Sequence, residues 1–181
     1  MKRILLIISI LLIAISASGM MLIGGKPGGC TIPGSPDVNY EDGAATNTLT
    51  ADAEGQSFDS GTGGTLARIC VEMDHASDGT IDMRFDDDVD MSDGDGYLED
   101  LGTSALITAD GTWVCFDSAT HPVLAASTTY YIGITENSGE LFWVHAASDA
   151  YADGGNLAVS SGWTMSYSGG WDENFRVYYC D

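Results

Sequence analysis

Residues 86–100 read DDDVDMSDGDGYLED, an acidic run with glycine inside it. Carboxylates at such spacing repel one another unless a cation or water screens them, and oxygen-rich loops containing glycine can wrap calcium. Asp86, Asp88, Asp90, Asp93 and Asp95 are the candidate ligands. The spacing is not that of an EF-hand. Counted from Asp88 the sixth position is Asp93 rather than glycine, and counted from Asp90 the third is Ser92. Two readings stand: an irregular calcium loop, or a solvated acidic loop with no cofactor.

A second set of candidates is aromatic. Tyr151 lies in SDAYADGG, Trp163 follows Ser160-Ser161-Gly162, and Trp171 sits between Ser168-Gly169-Gly170 and Asp172-Glu173. Aromatic rings on such loops can stack on the apolar faces of a sugar while nearby carboxylates bond its hydroxyls; they can also anchor a loop by packing. Trp113 and Trp143 sit in strand-like stretches and are expected in the core. Chemistry beyond binding has no comparable signal. His75, His121 and His145 are far apart in the chain, and no GxSxG, HExxH or P-loop motif occurs. No pair among the 27 acids is singled out for glycoside hydrolysis. The expectation is a protein that is not an enzyme.

Four cysteines, Cys30, Cys70, Cys115 and Cys180, complete the reactive inventory. They lack the close spacing of a zinc site, and an even count in an exported chain implies disulfides with three possible connectivities. Cys70 in LARICVEM and Cys115 in TWVCFDS lie in central strand-like stretches, whereas Cys30 and Cys180 lie near the ends of the exported chain. Domain termini are often close, so Cys70–Cys115 and Cys30–Cys180 are favoured.

Export itself is read from the N-terminus. Lys2-Arg3 precedes the apolar run Ile4–Ile15, and Ser16, Ala17, Ser18 and Gly19 follow. That is the order of a secretory signal peptide over 1–19, cleaved before Met20. The alternative is an uncleaved anchor over 4–23, the only route by which this chain would engage a membrane. Either way the domain is secreted or displayed at the cell surface. The exported part is strongly acidic: the chain carries 27 acidic and 6 basic residues, a net charge of −21. Such a surface repels phosphate backbones, so nucleic acid is not an expected partner.

The elements that would position these residues are strands. Residues 20–44 read as a Gly/Pro-rich linker or N-terminal arm, and 45–181 as one domain. Strand signals recur at Leu66–Met73, Thr80–Phe85, Thr112–Asp117, Thr129–Thr135, Glu140–His145, Trp163–Tyr167 and Phe175–Cys180. Weaker ones lie at Ala45–Ala51, Ala105–Thr108, Val123–Ala126 and Leu157–Val159. Turn clusters punctuate them, including Ser77-Asp78-Gly79 and Glu136-Asn137-Ser138-Gly139. In Thr80–Phe85, Ile81, Met83 and Phe85 oppose Thr80, Asp82 and Arg84, a strand with one wet face. Thr112–Asp117 reads as buried on both faces. No stretch after residue 23 keeps a helical period. The fold class is therefore all-β, an antiparallel β-sandwich.

From about Gly55 onward the order of features resembles a jelly-roll-like β-sandwich accessory domain of secreted, cell-surface and phage-associated proteins. The pieces are GQSFDSGTGGTLARICVEMD, DGTIDMRFDDD, WVCFDS, PVLAASTTYYIGI, DAYADGGNL, GWTMSY and DENFRVYY. Phe58 and Leu66 would open the core, Tyr131 would point inward, and Phe175 and Val177 would share a face. Ser127 stands where a glycine is usual in the turn before Tyr130-Tyr131. The resemblance implies a domain that binds, spaces or displays, and carries over no catalytic residue. Two functions follow as expectations: an extracellular glycan-binding module, calcium-assisted through the acidic loop, or a structural subunit assembling with copies of itself into a surface layer, filament or appendage.

Overall fold

The structure is a computed structural model that describes residues 30–41, 45–48, 54–91, 98–146, 151, 154–160, 163–167 and 171–181. The signal or anchor segment, Asp93 and Asp95 lie outside the described residues. Among those described, twelve strands and no helix are formed. They are β1 (Val38–Tyr40), β2 (Ala45–Thr48), β3 (Glu54–Asp59), β4 (Gly64–Asp86), β5 (Glu99–Thr103), β6 (Thr112–Asp117), β7 (Val123–Leu124), β8 (Thr129–Ala146), β9 (Gly155–Ser160), β10 (Thr164–Tyr167), β11 (Asp172–Glu173) and β12 (Phe175–Tyr179). All pairings are antiparallel, and the main path runs β1-β12-β4-β8-β3-β9-β10. β1 joins the sheet from within 20–44, pairing Val38 with Val177 and Tyr40 with Phe175.

Two long strands organise the fold. β4 spans 23 residues and β8 spans 18. They pair from Met73↔Trp143 to Asp86↔Tyr131, with register shifts between His75 and Ile81. The turn clusters Ser77–Gly79 and Glu136–Gly139, expected to separate four strands, are instead the irregular middle of this ribbon. Glycine makes the crossing possible. A Cβ on Gly79 would lie 2.0 Å from the Ser138 carbonyl oxygen, and Gly139 has φ +95° with a would-be Cβ 2.6 Å from the Asp78 carbonyl oxygen. Backbone contact replaces chain reversal.

Alternation places the core. Ile81, Met83, Phe85, Ile132, Ile134, Phe58, Phe175 and Val177 are fully buried. Phe58 of β3 packs 5.6 Å from Phe175 of β12, which is not its hydrogen-bonded neighbour, so the sheet folds over on itself as a sandwich. Two expectations are corrected here. Tyr130 and Ile132 point into this core, and Tyr131 lies on the opposite face with Met91, Leu157 and Trp163. β6 is buried on one face only: Val114 and Phe116 are buried while Cys115 is exposed. Trp113 is accordingly an outer-face residue, half-buried under the Arg176 guanidinium at 3.7 Å rather than in the core. Trp143 is fully buried and donates its indole N–H to the Asn174 carbonyl at 2.9 Å.

Both favoured disulfides are present. Cys70 and Cys115 face each other across β4 and β6, with Cα atoms 4.1 Å apart. Cys30–Cys180 joins the two ends of the described chain, 150 residues apart in sequence. This cysteine usage is consistent with an extracellular or other oxidising environment.

Candidate functional site

The wet face of β4 predicted from Thr80, Asp82 and Arg84 is the floor of a groove. Asp82 and Arg84 come from β4, Asp100, Gly102 and Thr103 from β5, Thr135 from β8, and Trp163 from the turn before β10; they line about 270 Å³. The registers explain the convergence, since Asp82 pairs with Thr103 on one side and Thr135 on the other. Thr103 donates its hydroxyl to Asp82 Oδ1 at 2.5 Å, and Gly102 donates its N–H to Asp100 Oδ1 at 2.9 Å. Each carboxylate is thus oriented by one donor.

Trp163 is held at the groove by the start of the acidic loop. The Arg84 guanidinium lies 4.4 Å from its ring centroid and donates to the Met91 carbonyl at 2.9 Å. Met91 in turn donates its N–H to the Trp163 carbonyl at 3.0 Å. Met91 and Leu157 form a small second core against which Val89, Tyr131 and Trp163 pack. Trp163 has φ +66°, a left-handed backbone that costs a non-glycine residue energy and persists where surroundings fix it. Together these groups offer a ring face, a cation, two carboxylates and two hydroxyls: the means to recognise a polyol by stacking and hydrogen bonds.

The other two candidate aromatics stand elsewhere. Tyr151 is half-buried, 5.5 Å edge-on from Phe175 and 5.8 Å from Tyr40, a core-packing position. Trp171 is exposed and stacks on His145 at 4.8 Å. Its carbonyl accepts from Asn156 N–H near the start of β9, whereas Trp163 follows the end of β9. The two tryptophans are therefore about 13 Å apart along the strand direction.

Of the acidic-loop candidates, Asp86, Asp88 and Asp90 are described. Asp86 is buried at the loop base, and Oδ1 accepts from Asp87 N–H at 2.8 Å and Leu98 N–H at 3.3 Å. Its Oδ2 is buried without a hydrogen-bond partner, and burial pushes its carboxyl up to about 6. Exposed Asp88 accepts from Asp90 N–H at 3.0 Å. The histidines do not meet: His75 binds Asp110 at 2.9 Å, His121 contacts the Leu66 carbonyl at 3.0 Å, and burial holds the His145 ring below the ordinary imidazole range. Among the described residues, the one group of three His, Cys or acidic ligand atoms within 4.8 Å is Cys30, His121 and Cys180, whose sulfurs are joined in a disulfide.

Sequence reasoning missed a further polar assembly. Glu54 and Gln56 alternate with Phe58 on the core-facing side of β3, and Asn156 of β9 is directly opposite Gln56. Glu173 of β11 reaches this pair from the other layer. Its N–H donates to Gln56 Oε1 at 2.9 Å, and its Oε1 accepts from Asn156 Nδ2 at 2.5 Å. Asp172 beside it is fully buried and accepts from Tyr151 N–H at 2.6 Å. Burial pushes the Glu54 carboxyl up to about 7. Burial first, and then the charge of Glu54, push Glu173 well above the usual carboxylate range.

Comparison with known proteins finds no family model that matches the chain and no curated protein that resembles it.

Proposed function

We propose that this domain is a non-catalytic extracellular binding module and that its groove takes one ring of a glycan. The composition of the groove carries the reading: Trp163 for a sugar face, Asp82 and Asp100 as acceptors, Arg84, Thr103 and Thr135 as further polar partners. Pockets for drug-sized ligands run to about 300–1,000 Å³, so about 270 Å³ suits a single ring. The resemblance to jelly-roll-like accessory domains points the same way by fold analogy. Calcium enters this reading through the β4–β5 loop. Asp86 and Asp100 stand at its two ends, so an ion held around Asp86, Asp88 and Asp90 would stiffen the segment that presents Asp100.

Self-assembly ranks second because of the sheet edges. The strands ending the main path, β1 and β10, are three and four residues long. Short edges are how sheets limit pairing with other chains.

Binding of the oxidised chain to a glycan panel, in calcium and in chelator, tests the proposal. Saturable binding is expected, weakened about 30-fold by Trp163→Ala, as for a central aromatic contact. A smaller loss is expected for Asp82→Asn. No binding in either condition would favour the structural-subunit reading, and full binding by Trp163→Ala would remove the groove as the site.

A further inference from the structure

One set of metal-ligating atoms converges among the described residues, and it lies apart from the groove and from the acidic loop. Cys30 Sγ, Cys180 Sγ and a ring nitrogen of His121 are all within 4.8 Å of one another. Spacing along the chain hides the set, because its members come from the residue before the N-terminal arm, the turn before β7 and the residue after β12. The two cysteines are joined as a disulfide, yet other bonds also hold each member in place. Asp181 donates its N–H to the Thr31 carbonyl at 3.1 Å, Cys180 to the Thr65 carbonyl at 2.8 Å, and Asp37 to the Val177 carbonyl at 2.9 Å. Both cysteines are therefore kept side by side by backbone pairing as well as by the S–S bond. His121 is fixed by its own set of contacts. Its backbone has φ +51°, and its N–H donates to Ser118 Oγ at 2.8 Å. Leu66 brackets it: the Leu66 N–H donates to the Pro122 carbonyl at 2.9 Å, and the Leu66 carbonyl accepts from His121 Nδ1 at 3.0 Å. A left-handed backbone at a non-glycine residue persists where the surroundings over-determine it.

A carbonyl can only accept, so Nδ1 carries the ring proton and the other ring nitrogen keeps its lone pair. A backbone carbonyl on one imidazole nitrogen is the common support for a metal on the other. Two thiolates and an imidazole make a soft donor set, which suits zinc and not calcium. We infer that Cys30, Cys180 and His121 form a redox-gated zinc site, closed to metal by the disulfide and opened by reduction. A dithiol reductant supplies two electrons and two protons. The S–S bond opens to two thiols, and the reductant leaves as its own disulfide. Zinc then takes the place of the two thiol protons, which pass to solvent. Ligand atoms around a tetrahedral zinc lie roughly 3.5–3.8 Å apart, so the sulfurs separate and the exposed His121 ring closes by about 1 Å. The ends of the domain are then held by the metal in place of the covalent bond, and they are released only by a reductant in the absence of metal.

The test uses the full chain, either oxidised or reduced with a dithiol and then freed of it without oxygen. Each form is titrated with cobalt(II), whose absorption reports thiolate ligation, and then with zinc. The reduced chain is expected to show the thiolate band and the oxidised chain to lack it. Alkylation followed by peptide mass spectrometry locates the ion: zinc should slow labelling of Cys30 and Cys180 about tenfold or more and leave the rates at Cys70 and Cys115 unchanged. His121→Asn keeps a residue type that accepts the left-handed backbone, and it should weaken cobalt binding about tenfold or more. Circular dichroism follows the sheet throughout. The inference is overturned by a reduced chain with no thiolate band, by an equal band from the oxidised chain, or by zinc protection that spares Cys30 and Cys180. It is overturned equally by a His121→Asn protein that binds cobalt with wild-type affinity, or by loss of the sheet on reduction with zinc present. None of these readouts involves a glycan, so this site and the Trp163 groove can fail separately.

Discussion

Glu99 and Glu173 are both buried carboxylates in strands of one sandwich, and they solve burial differently. Glu99 is 4% exposed and surrounded by donors: Ser118 Oγ at 2.5 Å, Ala119 N–H at 2.5 Å and Thr120 N–H at 2.9 Å. It organises the loop after β6, and its charge is compensated by aligned dipoles. Glu173 is 0% exposed, accepts one donor at Oε1, and lies near other acids. Burial of a carboxylate is thus structural where backbone donors converge on it. Where donors are fewer and further carboxylates lie nearby, burial pushes the group towards its protonated form.

The sharpest way to break this comparison is Glu99→Ala. Removing the common acceptor leaves two N–H groups and a hydroxyl without it, and a loss of about 3–4 kcal/mol in unfolding free energy is expected. Urea denaturation measures it; a loss below about 1 kcal/mol would show that Glu99 is no more structural than its counterpart.

A smaller effect concerns pH. Burial pushes the Glu54 carboxyl up to about 7 in the folded protein, against an ordinary 4.5. The folded state therefore holds this proton more tightly than the unfolded one. Its contribution is full below about pH 4.5 and is lost as pH rises through about 7. Stability should fall by about 2–3 kcal/mol between pH 5 and 8 from this group. Glu54→Gln should flatten that slope, which melts across the pH series would show; Glu99→Gln should leave it in place.

The smallest effect calibrates both and touches neither acid. Ser127 has φ +49° and donates its N–H to the Gly61 carbonyl at 2.9 Å. Ser127→Gly relieves the left-handed strain but gains unfolded-state freedom, for a net stabilisation of about 0.5 kcal/mol. The expected readout is a melting temperature higher by about 1–2 °C.

Much of this fold was legible in local pattern. The strand Thr112–Asp117, the faces of Thr80–Phe85 and both disulfides follow from alternation and chain position. The failures come from tertiary context. Glycine clusters that ordinarily reverse a chain are used at Gly79 and Gly139 to let two backbones touch, so four expected strands became two. β3 gave no strand signal because Glu54, Gln56 and Ser57 are polar, although Glu54, Gln56 and Phe58 share one inward face. The groove was half legible: Trp163, Asp82 and Arg84 stood out, whereas Asp100, Thr103 and Thr135 join them only through sheet register. The Glu173 assembly had no local signal, because its members lie more than 100 residues apart between Gln56 and Glu173.

The Cys30–Cys180 bond also decides how the domain would carry tension. A pull on the segment before Cys30 and on Asp181 passes through one covalent bond and bypasses every strand between them. In a single-molecule stretching trace the oxidised domain would lengthen only by the chain outside that bond, with no unfolding step. Reduction would put the 150-residue interval under load, releasing roughly 500 Å of contour at about 3.3–3.6 Å per residue. The bond thus makes the domain a mechanical shunt, inextensible while oxidised.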